Sequence, residues 1–391
     1  MSGLTFRRSL AGFGPSLIRA VFDAAPSGAL NMGLGMPDLE VPPSVIAAVQ
    51  QELTTGRAPY SPNAGRPQLR AEIASLYQSW SQEVGAATWI APEGVIVTAG
   101  AEEALYVALA SLCEPGDEVL VPDPGFPAYA MIARCIGAKV QTYPLDPETG
   151  FRPTASALLE ALTPNTRAVV LGSPANPTGV MVEPEELELI ALALASAGVP
   201  WVSDEIYDRY TWSTPFVSPG RFTDQGMVVG GLSKSASMMG WRLGWLMVPA
   251  GQAQIPTAVH QSICSCASTL SQAAARAAVT ALMGQGPDAG YMDQAREQFR
   301  DRRQRMVHGV EALGLRYAPA DGAFYLFVEV AAHTDEDDVA LCHRLAREQA
   351  LIAIPGQAFG PRGSGWVRLA YTCEAVEEGL ARLARGLGIG P

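Results

Sequence analysis

The sequence predicts an α/β fold: a mostly parallel, doubly wound sheet in a large domain, joined to a smaller α+β domain. Three observations carry this. Short runs rich in Val, Ile and Leu recur through the middle of the chain, separated by helical patterns. Those runs are apolar throughout rather than alternating, as in strands covered on both faces. After Gly290 the texture changes to long polar helices interleaved with isolated strands. At 391 residues the chain also exceeds one ordinary domain.

The elements follow in order. Residues 1–45 show no sheet pattern and are expected to pack on the small domain or on a partner chain. Val95-Ile-Val-Thr98 reads as a strand, and a helix runs from about Ala101 to Leu112. Apolar runs at 118–121, 169–171, 201–203 and 227–229 read as further buried strands. Lys139, in Gly-Ala-Lys-Val-Gln, sits on a polar strand edge. An amphipathic helix rich in Arg, Gln and Glu is predicted over 291–313. Then come a strand over 324–330, a helix over 339–349, a strand over 366–371 and a helix over 374–387. The predicted division is a large domain over 46–288 and a small one from 1–45 and 289–391.

Composition excludes several classes. With 48% hydrophobic and 17% charged residues, the chain is neither disordered nor a coiled-coil rod. A net charge of −12 with no basic stripe argues against nucleic acid as a partner. No apolar run is long enough to span a bilayer, and the N-terminal arginines precede no apolar leader core. The six cysteines are scattered apart from Cys264-x-Cys266, and there are four histidines. No C-x-x-C or histidine cluster suggests zinc, so no metal site is expected. Reduced thiols in a cytoplasmic protein are the reading.

Only two of the 27 basic residues are lysines, Lys139 and Lys234. A lysine can lose its proton and act as an amine nucleophile, which arginine cannot. Lys234 lies in Gly-Leu-Ser-Lys-Ser directly after an apolar strand, where α/β sheets place ligands. Eight residues on, Arg242 stands between Trp241 and Leu243-Gly244. Upstream, Asp204-Glu-Ile-Tyr207 puts a carboxylate at the end of a buried strand, a costly position unless paired or used. As a plain structural feature Asp204 could instead cap a helix. Asn176-Pro-Thr-Gly179 follows another strand and could be an ordinary turn. Thr98-Ala-Gly100-Ala101-Glu102 runs from strand into helix, a ready phosphate site.

Together, in this order and spacing, these motifs resemble the fold-type I pyridoxal 5′-phosphate enzymes, and among them the class I/II aminotransferases. The resemblance runs from Gly33-Leu-Gly35-Met-Pro37-Asp38 to Trp366-Val-Arg368-Leu. It implies a seven-stranded-type, mostly parallel sheet and transfer of an amino group between an L-amino acid and a 2-oxo acid. It implies that Lys234 holds the cofactor as an aldimine and then moves the substrate proton. Asp204 would pair with the pyridinium nitrogen, and Tyr207 and Asn176 with the ring O3′. Phe126 would stack on the ring. Gly100, Ala101, the neighbouring Glu102 and Arg242 would line the phosphate end. Arg368 would clamp the substrate carboxylate, with Gly35 and Asn176 close by. Tyr60 would reach the cofactor of a neighbouring subunit, implying a homodimer with shared active sites.

The chain departs from the family at Gly231, where many relatives carry a phosphate-binding Ser or Thr; Ser233 or a water is expected to substitute. Glu102 stands where some aspartate-preferring relatives have a lysine, and Met36 where many have a glutamate. Both favour neutral or apolar substrates. A pyridoxal phosphate-dependent C–S β-lyase would use the same lysine and aspartate. A regulator built on this fold would need a DNA-binding module, for which the motifs leave no room.

Overall fold

The structure is a computed structural model that describes residues 4, 7, 10, 14, 16–57, 59–83 and 85–390. Most of the first fifteen residues, on which the absence of a leader was judged, lie outside it. The chain begins with α1 (Leu17–Ala24), β1 (Leu30–Asn31), α2 (Pro43–Thr54) and α3 (Pro67–Glu83). Next come β2 (Val95–Thr98), α4 (Ala101–Leu112), β3 (Glu118–Asp123), α5 (Pro127–Ile136), β4 (Lys139–Pro144) and α6 (Ala155–Glu160). They are followed by β5 (Thr166–Gly172), α7 (Pro184–Ala197), β6 (Trp201–Asp204), β7 (Gly226–Gly231) and β8 (Gly244–Met247). Helices α8 (Gln254–Cys264), α9 (Thr269–Leu282) and α10 (Tyr291–Ala312) lead to β9 (Tyr325–Glu329) and α11 (Asp338–Gln349). Strands β10 (Leu351–Ile352), β11 (Ile354–Pro355) and β12 (Trp366–Ala370) precede α12 (Val376–Leu387).

Seven strands form the central sheet in the order β2-β8-β7-β6-β5-β3-β4. Only β8 opposes its neighbours; β7, β6, β5, β3 and β4 are parallel. The carboxyl ends of β2, β5, β6 and β7 therefore emerge along one edge, where α/β sheets bind ligands. The apolar runs are covered as expected: β2, β6, β7 and β8 are buried along their whole length. Edge strand β4 exposes Lys139 and other polar side chains, which discourages further edge pairing.

Beyond α10, β11, β12 and β9 form a three-stranded antiparallel sheet. The predicted helix over 291–313 appears as α10, and the predicted strands and helices after it appear within two residues of their expected bounds. One expectation is corrected. The first 45 residues do contribute a strand: β1 pairs in parallel with β10, Leu30 opposite Leu351 and Asn31 opposite Ile352. Two residues are too few to show periodicity, and the pairing rests on backbone groups that any sequence carries. Buried Arg302 of α10 pins the segment after β1, donating from Nη1 at 2.7 Å and from Nη2 at 3.0 Å to the Asp38 carboxylate. Among the described residues no helix is long and apolar enough to cross a membrane.

Candidate active site

A cavity of about 300 Å³ opens at the carboxyl edge of the central sheet, at the small end of the range for ligand pockets. It is lined by Gly35, Ala101, Glu102, Phe126, Asn176, Asp204, Tyr207, Lys234, Arg242 and Arg368. These were singled out from sequence positions as much as 333 residues apart, Gly35 to Arg368.

Lys234 arrives three residues after β7 ends. Its Nζ donates to the Gly35 carbonyl at 2.7 Å. Burial, then Arg368 and Arg242, lower its pKa to about 8, against a smaller opposing pull from Asp204. Asp204, the last residue of β6, is 7% exposed and accepts from the Tyr129 hydroxyl at 2.8 Å and from the Ile206 N–H at 3.3 Å. Burial raises its pKa, and those two bonds counter the rise. As the final residue of β6, Asp204 points along the strand's carboxyl edge rather than capping a helix.

Phe126 sits directly before α5 with Pro127 at the first helical position, and the first turn of the helix carries Tyr129. Tyr207 shares a 2.7 Å hydrogen bond with Tyr325 between their hydroxyls. Arg368, from β12, is 3% exposed. Its Nη1 donates to Asn176 Oδ1 at 2.6 Å and its Nη2 to the Gly33 carbonyl at 2.5 Å. Its Nε is buried without a partner, and no carboxylate pairs with it among the described residues. The guanidinium lies 4.4 Å over the Tyr325 ring and 4.8 Å from that of Phe359. Asn31 fixes the opposing loop, its Oδ1 accepting from the Gly33 and Leu34 N–H groups. Gly35 is required there because a Cβ would overlap the Tyr325 hydroxyl.

At the other end, Gly100 precedes α4 with φ +95°, and no side chain caps the helix. Its first N–H groups are therefore free donors, and the helix dipole favours an anion there. Arg242 approaches the same turn, its Nη2 lying 3.4 Å from the Ala99 carbonyl. A Cβ on Gly100 would come within 2.7 Å of that nitrogen. Gly231 has a packing reason: its Cβ would meet Gly244 Cα at 3.1 Å and Ile206 at 3.2 Å. Ser233, the expected substitute, does line the cavity.

This donor set fits pyridoxal phosphate. An uncapped helix start and an arginine paired with no carboxylate among the described residues suit its phosphate, a buried carboxylate its ring nitrogen, and a poised lysine its aldehyde. Sequence reasoning missed Tyr129 and Tyr325 as site residues. It also missed Ile18, Leu34, Leu105 and Met239 on the cavity wall. Tyr129 lies three residues after Phe126, but nothing in its spacing marked Asp204 as its partner. Tyr60 is not brought into this cavity; it is 88% exposed.

The family model described as aminotransferase class I and II matches residues 27–387. A probable aspartate aminotransferase of Methanocaldococcus jannaschii is 32% identical over 94% of this chain and 95% of its own. A probable N-acetyl-LL-diaminopimelate aminotransferase of Bacillus subtilis is 37% identical, covering 90% of this chain and 88% of its own. A Thermus thermophilus aspartate aminotransferase mutant superposes with a TM-score of 0.90 at 32% identity, over 99% of this chain and all of that one.

Proposed function

Because the chain belongs to the class I and II aminotransferases, a family dependent on pyridoxal phosphate, we propose that the Lys234 pocket binds that cofactor and acts on neutral or apolar L-amino acids. The chain is an aminotransferase, passing an amino group between an amino acid and a 2-oxo acid. The C–S β-lyase alternative is not favoured, since the relatives are named aminotransferases.

The observation that carries the residue assignment is Arg368. A buried guanidinium with an unpartnered Nε and no carboxylate partner is costly unless an anion completes it. A substrate α-carboxylate matches its planar fork, in the same cavity as the half-buried Lys234. Gly35 and Asn176 shape the same end.

When bound, pyridoxal phosphate supplies an electron-withdrawing ring that stabilises charge developing at the substrate Cα and stores the amino group between half-reactions. Asp204, held by Tyr129 and Ile206, would keep the proton on the ring nitrogen. Tyr207 and Asn176 would bind O3′, and Phe126 would cover one face of the ring. The N–H groups after Gly100, at Ala101 and Glu102, would bind the phosphate together with Arg242 and Ser233. Lys234, neutral in an appreciable fraction near pH 8, would take the proton from the substrate Cα.

The substrate class is read from the wall. Ile18, Leu34, Met36, Leu105 and Met239 offer apolar surface, and Glu102 would repel a side-chain carboxylate. The proposed division into a 46–288 domain and a 1–45 plus 289–391 domain assigns Lys234 to the first and Arg368 to the second. Tyr60, exposed and outside its own cavity, suits service to the partner's site in a homodimer. Six free cysteines accord with a cytoplasmic setting.

The test is the visible absorption spectrum of the purified holoprotein with single amino acids. Neutral apolar amino acids are expected to convert the cofactor to its amine form at least ~10-fold faster than aspartate. A 2-oxo acid should restore the first spectrum. Fastest conversion by aspartate would overturn the substrate class. Release of pyruvate from a cysteine conjugate without a 2-oxo acid would overturn the reaction.

A further inference from the structure

Away from the cavity wall, the first turn of α4 meets the end of α8. His260 and Cys264 lie four residues apart and so share one face of α8. Both face Glu103. His260 Nδ1 is 2.9 Å from Glu103 Oε1, Cys264 Sγ is 3.3 Å from the same oxygen, and Sγ to Nδ1 is 3.8 Å. We propose that Glu103, His260 and Cys264 form a binding site for one thiophilic divalent cation, zinc above all, with water as the fourth ligand.

The donor set is one nitrogen, one sulfur and one carboxylate oxygen, the mixture tetrahedral zinc accepts. Zinc–ligand bonds of about 2.0–2.3 Å give tetrahedral edges of about 3.4–3.6 Å. Each observed separation lies within about half an ångström of that, so small side-chain adjustments suffice. His260 is fully buried and its Nε2 has no partner. The ring is thus left unsatisfied whichever nitrogen holds the proton, and a cation on Nδ1 would fix that proton on Nε2 without breaking a hydrogen bond there. Cys264 is exposed, which gives the ion an entry path and leaves room for a water. Binding would displace the thiol proton and any proton on Nδ1, which go to solvent as the ion takes their place.

The site would also join α8 to the turn that opens α4. The Glu103 carboxylate, through Oε2, accepts from the Ala99 N–H, directly before the turn proposed to hold the phosphate. A bound cation would tie the end of α8 to that turn.

The experiment uses the reduced holoprotein, stripped with chelator and then titrated with zinc ion alone. Its readouts are calorimetry and retained zinc after desalting. One zinc per chain is expected, with a sulfur scatterer near ~2.3 Å in the zinc-edge absorption spectrum. Cys264→Ser should weaken binding at least ~10-fold, with the cofactor band and far-ultraviolet circular dichroism unchanged as the folding control. Cys266→Ser should bind as the parent does. Equal binding by the parent and Cys264→Ser would overturn the proposal, as would an equal loss in Cys266→Ser.

Discussion

Lys234 has an amine surrounded by two guanidinium groups and little water, and the consequence is a pH dependence that can be measured. Its pKa of about 8, against 10.5 for the free side chain, means that the folded chain disfavours the ammonium form. The sign follows: this burial costs stability below pH 8, and the cost is relieved as pH rises from 8 towards 10.5. Capture of the aldehyde cofactor needs the neutral amine. The capture rate of the cofactor-free chain is therefore expected to rise about tenfold per pH unit and to level off with a midpoint near 8. Stopped-flow absorbance checks this; a midpoint near 10.5 would show a solvated lysine. The lysine itself was legible because the chain has so few. Tyr129 and Tyr325 were not, because their hydroxyls matter only through Asp204 and Tyr207, residues 75 and 118 positions away.

At the scale of elements, the strand ends do the positioning. The buried strands β2, β6 and β7 were readable as unbroken apolar runs; β6 ends at Asp204, which lines the cavity, and β2 and β7 lead into the segments that carry Ala101 and Lys234 to it. The turn from β2 into α4 is the most exacting. Gly100 combines φ +95° with a close approach by Arg242. Gly100→Ala is expected to weaken cofactor binding by at least ~10-fold, since the strained backbone and the displaced guanidinium each cost about 1–3 kcal/mol. Cofactor titration followed by fluorescence quenching would measure it, and unchanged affinity would remove the turn from the phosphate site. Other elements were illegible for the opposite reason. Strands β1, β10 and β11 are two residues each, held by backbone pairing and neighbouring burial rather than by side-chain pattern.

For the whole molecule, the central question is whether one chain completes its own site. Tyr60 and the exposed Ile46, Leu53 and Ile263 lie outside the cavity, and the homodimer reading assigns Tyr60 to the partner's phosphate. Mixing two variants tests it. In a hybrid of Lys234→Ala with Tyr60→Ala, one of the two sites receives an intact Lys234 from one chain and an intact Tyr60 from the other. Adding the inactive Lys234→Ala chain to Tyr60→Ala, with subunit exchange, should raise activity several-fold per Tyr60→Ala chain, because affinity for the phosphate recovers. No gain after demonstrated exchange would mean that sites are not shared.

The sequence by itself determined the α/β class, and its resemblance to the class I/II aminotransferases named most of the residues that meet in the cavity. The class follows from local chemistry, because unbroken apolar runs must be covered on both faces; the resemblance rests on the order and spacing of the motifs along the chain. Only the tertiary structure decided that β1 crosses to β10, that Arg368 reaches Asn176 and Gly33 with its Nε unpartnered, and that Glu103 faces His260 and Cys264. Such pairings join residues 157 to 335 positions apart. They depend on how separate elements pack, which no local pattern of residues encodes.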